Sequence, residues 1–174
     1  VQPAEFLSQV QSTLSSQGGH RPSEAPEDWE YIDRTPRLYT WFRGHRVKLG
    51  FPSEHELLLQ LMEPPPHLLL LRRERFLWRL LDTVGLLPEV RIGVPDFDER
   101  FIIQNATARV ARRMLGAEAR QRVLSLEPFE YLELTTGDYR VLKAVRPGVD
   151  YSVEQAIRDL DNLVGLHRAM QGPG

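Results

Sequence analysis

Between Arg91 and Leu126 the chain passes from an acidic, aromatic turn (Pro95, Asp96, Phe97, Asp98) through a short apolar strand to one or two arginine-rich helices. This stretch constrains the fold most, because a short strand and short helices bury their apolar sides only against elements supplied from elsewhere in the chain. Those elements are legible on both sides. Leu38 to Phe42 and Val47 to Phe51 flank Arg43-Gly44-His45-Arg46 as a β-hairpin, with Gly44 where a positive φ is needed. Glu56 to Leu61 and His67 to Leu71 read as two more strands, separated by Pro64-Pro65-Pro66, which neither a helix nor a central strand tolerates.

Glu74 to Val84 places Phe76, Leu77, Leu80, Leu81 and Val84 on one helical stripe, with Gly85 as its stop. Phe101 to Ile103 is a short strand. Asn105 or Thr107 starts a helix to Leu115, Gly116 breaks it, and Ala117 to Leu126 forms another. Tyr131 to Leu134 and Tyr139 to Val145 make a second hairpin. Ser152 and Gln155 form a capping-box pair before a final helix, in which Val153, Ile157, Leu160, Val164 and His167 keep the 3.6 period. Strands joined by hairpins rather than βαβ crossovers predict an α+β fold: one antiparallel sheet, helices packed on it, and a long C-terminal helix across it.

The first 36 residues differ in character. Phe6, Leu7, Val10 and Leu14 sit at helical spacing between Pro3 and Leu14, and Ser15 to Pro36 is rich in Ser, Gly, Pro and acid. The expected organisation is therefore a helix with a linker-like segment over 1–36 and an α+β domain over 37–171. A chain of 174 residues suits a single domain. It opens at Val1, which suggests a processed or excised segment. No apolar run approaches a membrane span, and the start lacks a signal-peptide pattern.

Three stretches carry a resemblance. Trp41-Phe42-Arg43-Gly44-His45-Arg46-Val47-Lys48-Leu49 is similar to a Gly-aromatic-Arg-Gly-Arg-apolar hairpin, with Thr40 or Trp41 where a Gly is usual. Pro95 to Ile103 resembles an Asp-Pro-x-Phe-Asp-x-x-Phe segment, with Val94-Pro95 in place of Asp-Pro. Ala111 to Leu115 and Arg120 to Leu124 resemble the helical pair that follows it. Together they resemble a family of uncharacterised prokaryotic proteins, many with membrane-anchoring helices and without an assigned activity. The resemblance implies an α+β domain held near a membrane by a segment outside this chain; it implies no reaction.

Several groups of residues could carry chemistry. Asp96, Asp98 and Glu99 could ligate a hard cation. The plainer expectation is a turn and strand start in which Asp accepts backbone N–H bonds, Phe97 and Phe101 enter the core, and Arg100 neutralises the cluster. Arg109, Arg112 and Arg113 share a helix face and could meet an acidic partner. Trp41, Arg43, His45 and Arg46 make an aromatic and basic hairpin suited to recognition. The five histidines lack the helical spacing of a zinc pair, and a chain with no cysteine offers no thiolates, so neither metal nor cofactor is expected.

The net charge of −2 argues against a nucleic-acid partner. No phosphate loop or nucleophile elbow is present. The expected role is non-catalytic: a protein-interaction or regulatory domain, binding a protein or a second copy of itself, cytoplasmic and tethered through its parent. The competing readings are a small-molecule or lipid-binding domain using the leucine-rich surface between Leu57 and Leu81, and an enzyme whose site is assembled in space from the acidic turn and the arginine helices.

Overall fold

The computed structural model describes residues 2–16, 29–32, 35–53, 55–73, 90–144 and 151–172. Its elements in chain order are α1 (Pro3–Ser16), β1 (Trp29–Ile32), β2 (Thr35–Phe42), β3 (His45–Ser53), β4 (Glu56–Leu61), β5 (Leu69–Arg73), α2 (Pro95–Asp98), β6 (Phe101–Gln104), α3 (Ala108–Met114), α4 (Ala117–Ser125), β7 (Tyr131–Leu134), β8 (Tyr139–Ala144) and α5 (Val153–Gln171). Among the described residues the strands form one eight-stranded sheet in the order β1-β2-β3-β4-β8-β7-β5-β6. Every pairing is antiparallel. The α+β fold with a long C-terminal helix is therefore as the sequence predicts. The helix expected over Glu74–Val84 lies outside the described residues.

Alternation along the strands divides the sheet into two faces. Leu57, Leu59 and Leu61 of β4, Leu69 and Leu71 of β5, Phe101 and Ile103 of β6, and Val141 of β8 are almost wholly buried on the helix-covered face. On that face α1 contributes Phe6, Leu7, Val10 and Leu14, the four residues its spacing singles out. Phe6 sets its ring edge-on to Phe51 of β3 at 5.8 Å between centroids. Downstream of α1, β1 pairs with β2, Trp29 opposite Leu38 and Ile32 opposite Thr35.

The first hairpin is tighter than a four-residue loop. Only Arg43 and Gly44 lie between the strands, with φ of 51° and 82°. Two positive φ values in a two-residue loop match the right-handed twist of the flanking strands, which is why a glycine stands there. The acidic turn folds as the one-turn helix α2. Asp98 accepts hydrogen bonds from the backbone N–H of Ile92, Gly93 and Val94 at 3.0, 2.8 and 3.0 Å. Phe97 and Phe101 are buried with rings 4.7 Å apart, and Phe101 stacks on Phe129 at 5.4 Å. Arg100 does not neutralise that turn; it reaches Glu127 at 3.2 Å.

Helix α3 starts at the Thr107 cap, whose hydroxyl accepts from Val110 N–H, and α5 starts at a complete Ser152–Gln155 capping box. Gly165 of α5 is where Arg122 of α4 crosses: a Cβ there would sit 2.7 Å from the Arg122 Nε. That close approach lets the two helices pack side by side on the sheet.

Leu59 is fully buried in a central strand, whereas Leu68 is 47% exposed. Leu59→Ala should cost about 2–5 kcal/mol through lost transfer energy and the cavity left behind. Leu68→Ala should stay within about 0.5 kcal/mol. Urea unfolding of the two variants beside the parent checks both values.

Candidate functional site

A polar cluster forms where the hairpin tip, the β4–β5 turn and α5 converge. The tight Arg43-Gly44 turn makes His45 the first residue of β3. The Met62 N–H bonds the Arg46 carbonyl at 2.8 Å, carrying the β3–β4 ladder past Leu61 and leaving Glu63 beside His45 just before the prolines. The His45 Nδ1 and Glu63 Oε1 are 3.2 Å apart. His167 reaches the cluster from α5, its ring edge-on to His45 at 5.6 Å between centroids, with its Nδ1 3.1 Å from the Tyr139 hydroxyl.

One ligand-capable atom from each of His45, Glu63 and His167 lies within 4.8 Å of the other two. All three side chains are half-buried, while Tyr139 is fully buried. Burial lowers the His167 pKa below the ordinary imidazole value; His45 adds to that shift and Glu63 opposes it. Burial, helped by Glu63, pushes the Tyr139 phenol upward, so it stays protonated. Two imidazoles, a carboxylate and a neutral phenol can exchange protons or hold a cation.

A second polar centre lies further along the same helix–sheet seam. Lys143 of β8 and Asp159 of α5 form a buried ion pair, and the Tyr151 hydroxyl donates to the same carboxylate. The Lys143 ammonium also lies over the Tyr151 ring, 5.6 Å from its centroid. Burial lowers the Lys143 pKa, with Asp159 pulling the other way; burial and Asp159 raise the Tyr151 phenol well above 10.0. An adjoining cleft of about 510 Å³ is lined by Lys143, Tyr151, Arg158, Asp159, Asn162 and Glu127 among others. The ion pair aligns α5 on the sheet, because its partners are saturated by one another.

Lys143→Met should cost about 3–5 kcal/mol by stranding the Asp159 carboxylate, and the double variant Lys143→Met/Asp159→Leu should recover most of that loss. Urea midpoints of the three proteins check this. For Tyr151, a folded-state pKa raised above the unfolded 10.0 means a contribution fully present below pH 10 and lost as pH rises beyond it. Lys143 slopes the opposite way up to 10.5, since its folded pKa is lowered. Tyr151→Phe should therefore lose less stability than the parent above pH 10, as read by denaturation across that range.

The residues expected from sequence to bind are scattered among these contacts. His45 enters the cluster. Arg43 ion-pairs with Asp161 of α5 at 2.7 Å, so the hairpin tip is clasped to the helix. Trp41 and Arg46 are cross-strand partners on the sheet face turned away from the helices, Trp41 half-buried and Arg46 exposed. Arg109 is exposed on the short α3. Arg112 donates to the Ile92 carbonyl at 3.1 Å, and Arg113 contacts His67. Asp98 is occupied with backbone N–H groups.

The sequence reading did not single out Glu63, and it took His167 only as part of the last helix's stripe and as one of five histidines without zinc spacing. They lie far from each other in the chain, and a metal or proton site assembled from distant segments has no local spacing to betray it. The available signal was a histidine on the apolar stripe of the last helix, a position otherwise filled by Val, Ile and Leu.

The class of protein defined here is an α+β domain with one antiparallel sheet and a helical layer on one face. No family model matches the sequence, and no curated protein matches it. Among solved structures it is similar to the crystal structure of the mycobacterial trehalose monomycolate transport factor A, TtfA. The two are 14% identical, the match covers 95% of this chain and 94% of that one, and the TM-score is 0.56. At that identity the likeness shows a shared fold. Among the described residues, no helix is long and apolar enough to cross a membrane.

Proposed function

We propose that this chain is a non-catalytic interaction or regulatory domain, the part of a membrane-associated protein that holds a protein partner or a second copy of itself. The observation that carries this reading is the outer face of the first hairpin. There Tyr39 is paired across the strands with Lys48, and Trp41 with Arg46. The Lys48 ammonium lies over the Tyr39 ring, 5.2 Å from its centroid. Leu38 and Phe42 are buried on the opposite face, so these aromatic and basic side chains are turned away from the core. Half-buried Tyr and Trp beside an Arg are residue types enriched at interface centres, and a Lys suits the polar rim.

The bonding of the acidic turn and the arginine helices also favours this reading over an enzyme. Asp98 staples a loop and Arg112 anchors the same loop's carbonyl. The resemblance to anchored prokaryotic proteins points the same way, as does a fold shared over nearly its full length with a protein named as a transport factor.

A second reading is lipid handling, favoured by the neighbour's name, which includes trehalose monomycolate. Within the leucine-rich stretch from Leu57 to Leu81, a lipid cavity would be lined by Leu58, Leu70 and Leu80; Leu58 and Leu70 stand on strands separated by β8 and β7, and Leu80 is outside the described residues. Such a cavity would have to span that distance across the outer face.

The test is capture from detergent-solubilised membranes of the source cells on the immobilised chain, beside Trp41→Ala and Arg46→Ala. Loss of a central tryptophan should weaken a bound partner by about 2 kcal/mol, roughly thirtyfold in Kd. A stoichiometric partner held equally by all three columns would remove the hairpin face from the proposal. Lipid co-purifying with the chain, with no protein retained, would favour the second reading.

A further inference from the structure

The geometry points to a transition-metal site of the zinc class formed by His45, Glu63 and His167. It goes beyond the interaction reading and does not depend on it. The donor set carries the first part of the argument. Two imidazoles and one carboxylate suit Zn²⁺, and three protein ligands leave a fourth position for water or an exogenous ligand. Calcium or magnesium would call for a shell of oxygens instead.

The spacing carries the second part. A tetrahedral ion with bonds of about 2.0–2.1 Å keeps its ligand atoms about 3.3 Å apart. His45 Nδ1 and Glu63 Oε1 already stand at 3.2 Å, and no separation in the trio exceeds 4.8 Å. Rotation of the half-buried His45, Glu63 and His167 side chains is the movement that binding would require to close the remainder.

The third part is that the backbones bearing the ligands are held by contacts independent of the ligands. The Met62 N–H to Arg46 carbonyl bond fixes Glu63 against β3, and the Arg43–Asp161 ion pair fixes the hairpin tip against α5. Tyr139, buried 3.1 Å from His167 Nδ1, supplies the outer hydrogen bond that orients metal-bound imidazoles. His167 also lies near the C-terminal end of α5, where the helix dipole favours positive charge. A bound ion would tie the hairpin carrying Trp41 and Arg46 to the C-terminal helix, making the stiffness of that hairpin depend on metal.

The test uses the tag-free full chain, stripped with a chelator and then titrated with Zn²⁺ against a chromophoric competitor. The expected result is one ion per chain. At a hundredfold excess over Kd the expected rise in Tm is about 5–10 °C. His45→Ala and Glu63→Gln should each abolish the saturable site, and Tyr139→Phe should weaken it about tenfold. A His55→Ala/His67→Ala control should bind like the parent. Glu63→Gln keeps the side chain's shape at a half-exposed position, so it decides the matter even if a histidine variant fails to fold. Absence of saturable binding in the parent would overturn the assignment, as would binding that survives in Glu63→Gln and His45→Ala.

Discussion

The seating of α5 on the sheet is the constraint from which the rest follows. The helix runs antiparallel to β8, with Asp159 on Lys143 at one end and His167 on Tyr139 at the other. The four residue steps from Lys143 back to Tyr139 span about 13 Å of strand, and the eight steps from Asp159 to His167 about 12 Å of helix. Strand and helix therefore match in length between the two polar contacts, and both are made in a single register. Apolar packing by Ala156, Leu160, Leu163, Val164 and Leu166 supplies the affinity of helix for sheet. It tolerates sliding, whereas a buried ion pair does not, because a shift of one turn would leave both charges without partners.

That register decides what meets at the hairpin tip. With α5 pinned, Asp161 lies within reach of Arg43, and His167 lies against His45. The hairpin in turn carries Trp41 and Arg46 on its outer face. The aromatic, basic strand face and the His45–Glu63–His167 cluster are thus built on opposite faces of one two-stranded element. The helix holding one of them down also holds the other.

Much of the architecture was legible along the chain. The α1 stripe, the Glu56–Leu61 strand, the second hairpin, the Gly116 break and the Ser152 cap are all set by local chemistry: apolar period, proline exclusion, glycine and capping. An aspartate bonding backbone N–H groups of the turn, and Phe97 with Phe101 in the core, were legible for the same reason; that Asp98 is the one was decided by the structure. The insertion of β8 and β7 between β4 and β5 was not, because antiparallel strands of similar apolar content pair equally well in several orders. Arg100 was misassigned because its partner, Glu127, is adjacent only in space.

By itself, the sequence determined the elements, the buried side of each, the antiparallel hairpins and the presence of an aromatic, basic hairpin. Those properties depend on residues a few positions apart, and a few positions is the range over which backbone geometry transmits information. Only the tertiary structure decided that His45, Glu63 and His167 lie together, that Arg43 is bound to α5, and that Lys143 is buried against Asp159. Each of these contacts joins separate elements, so each waits on the packing of α5 across the sheet.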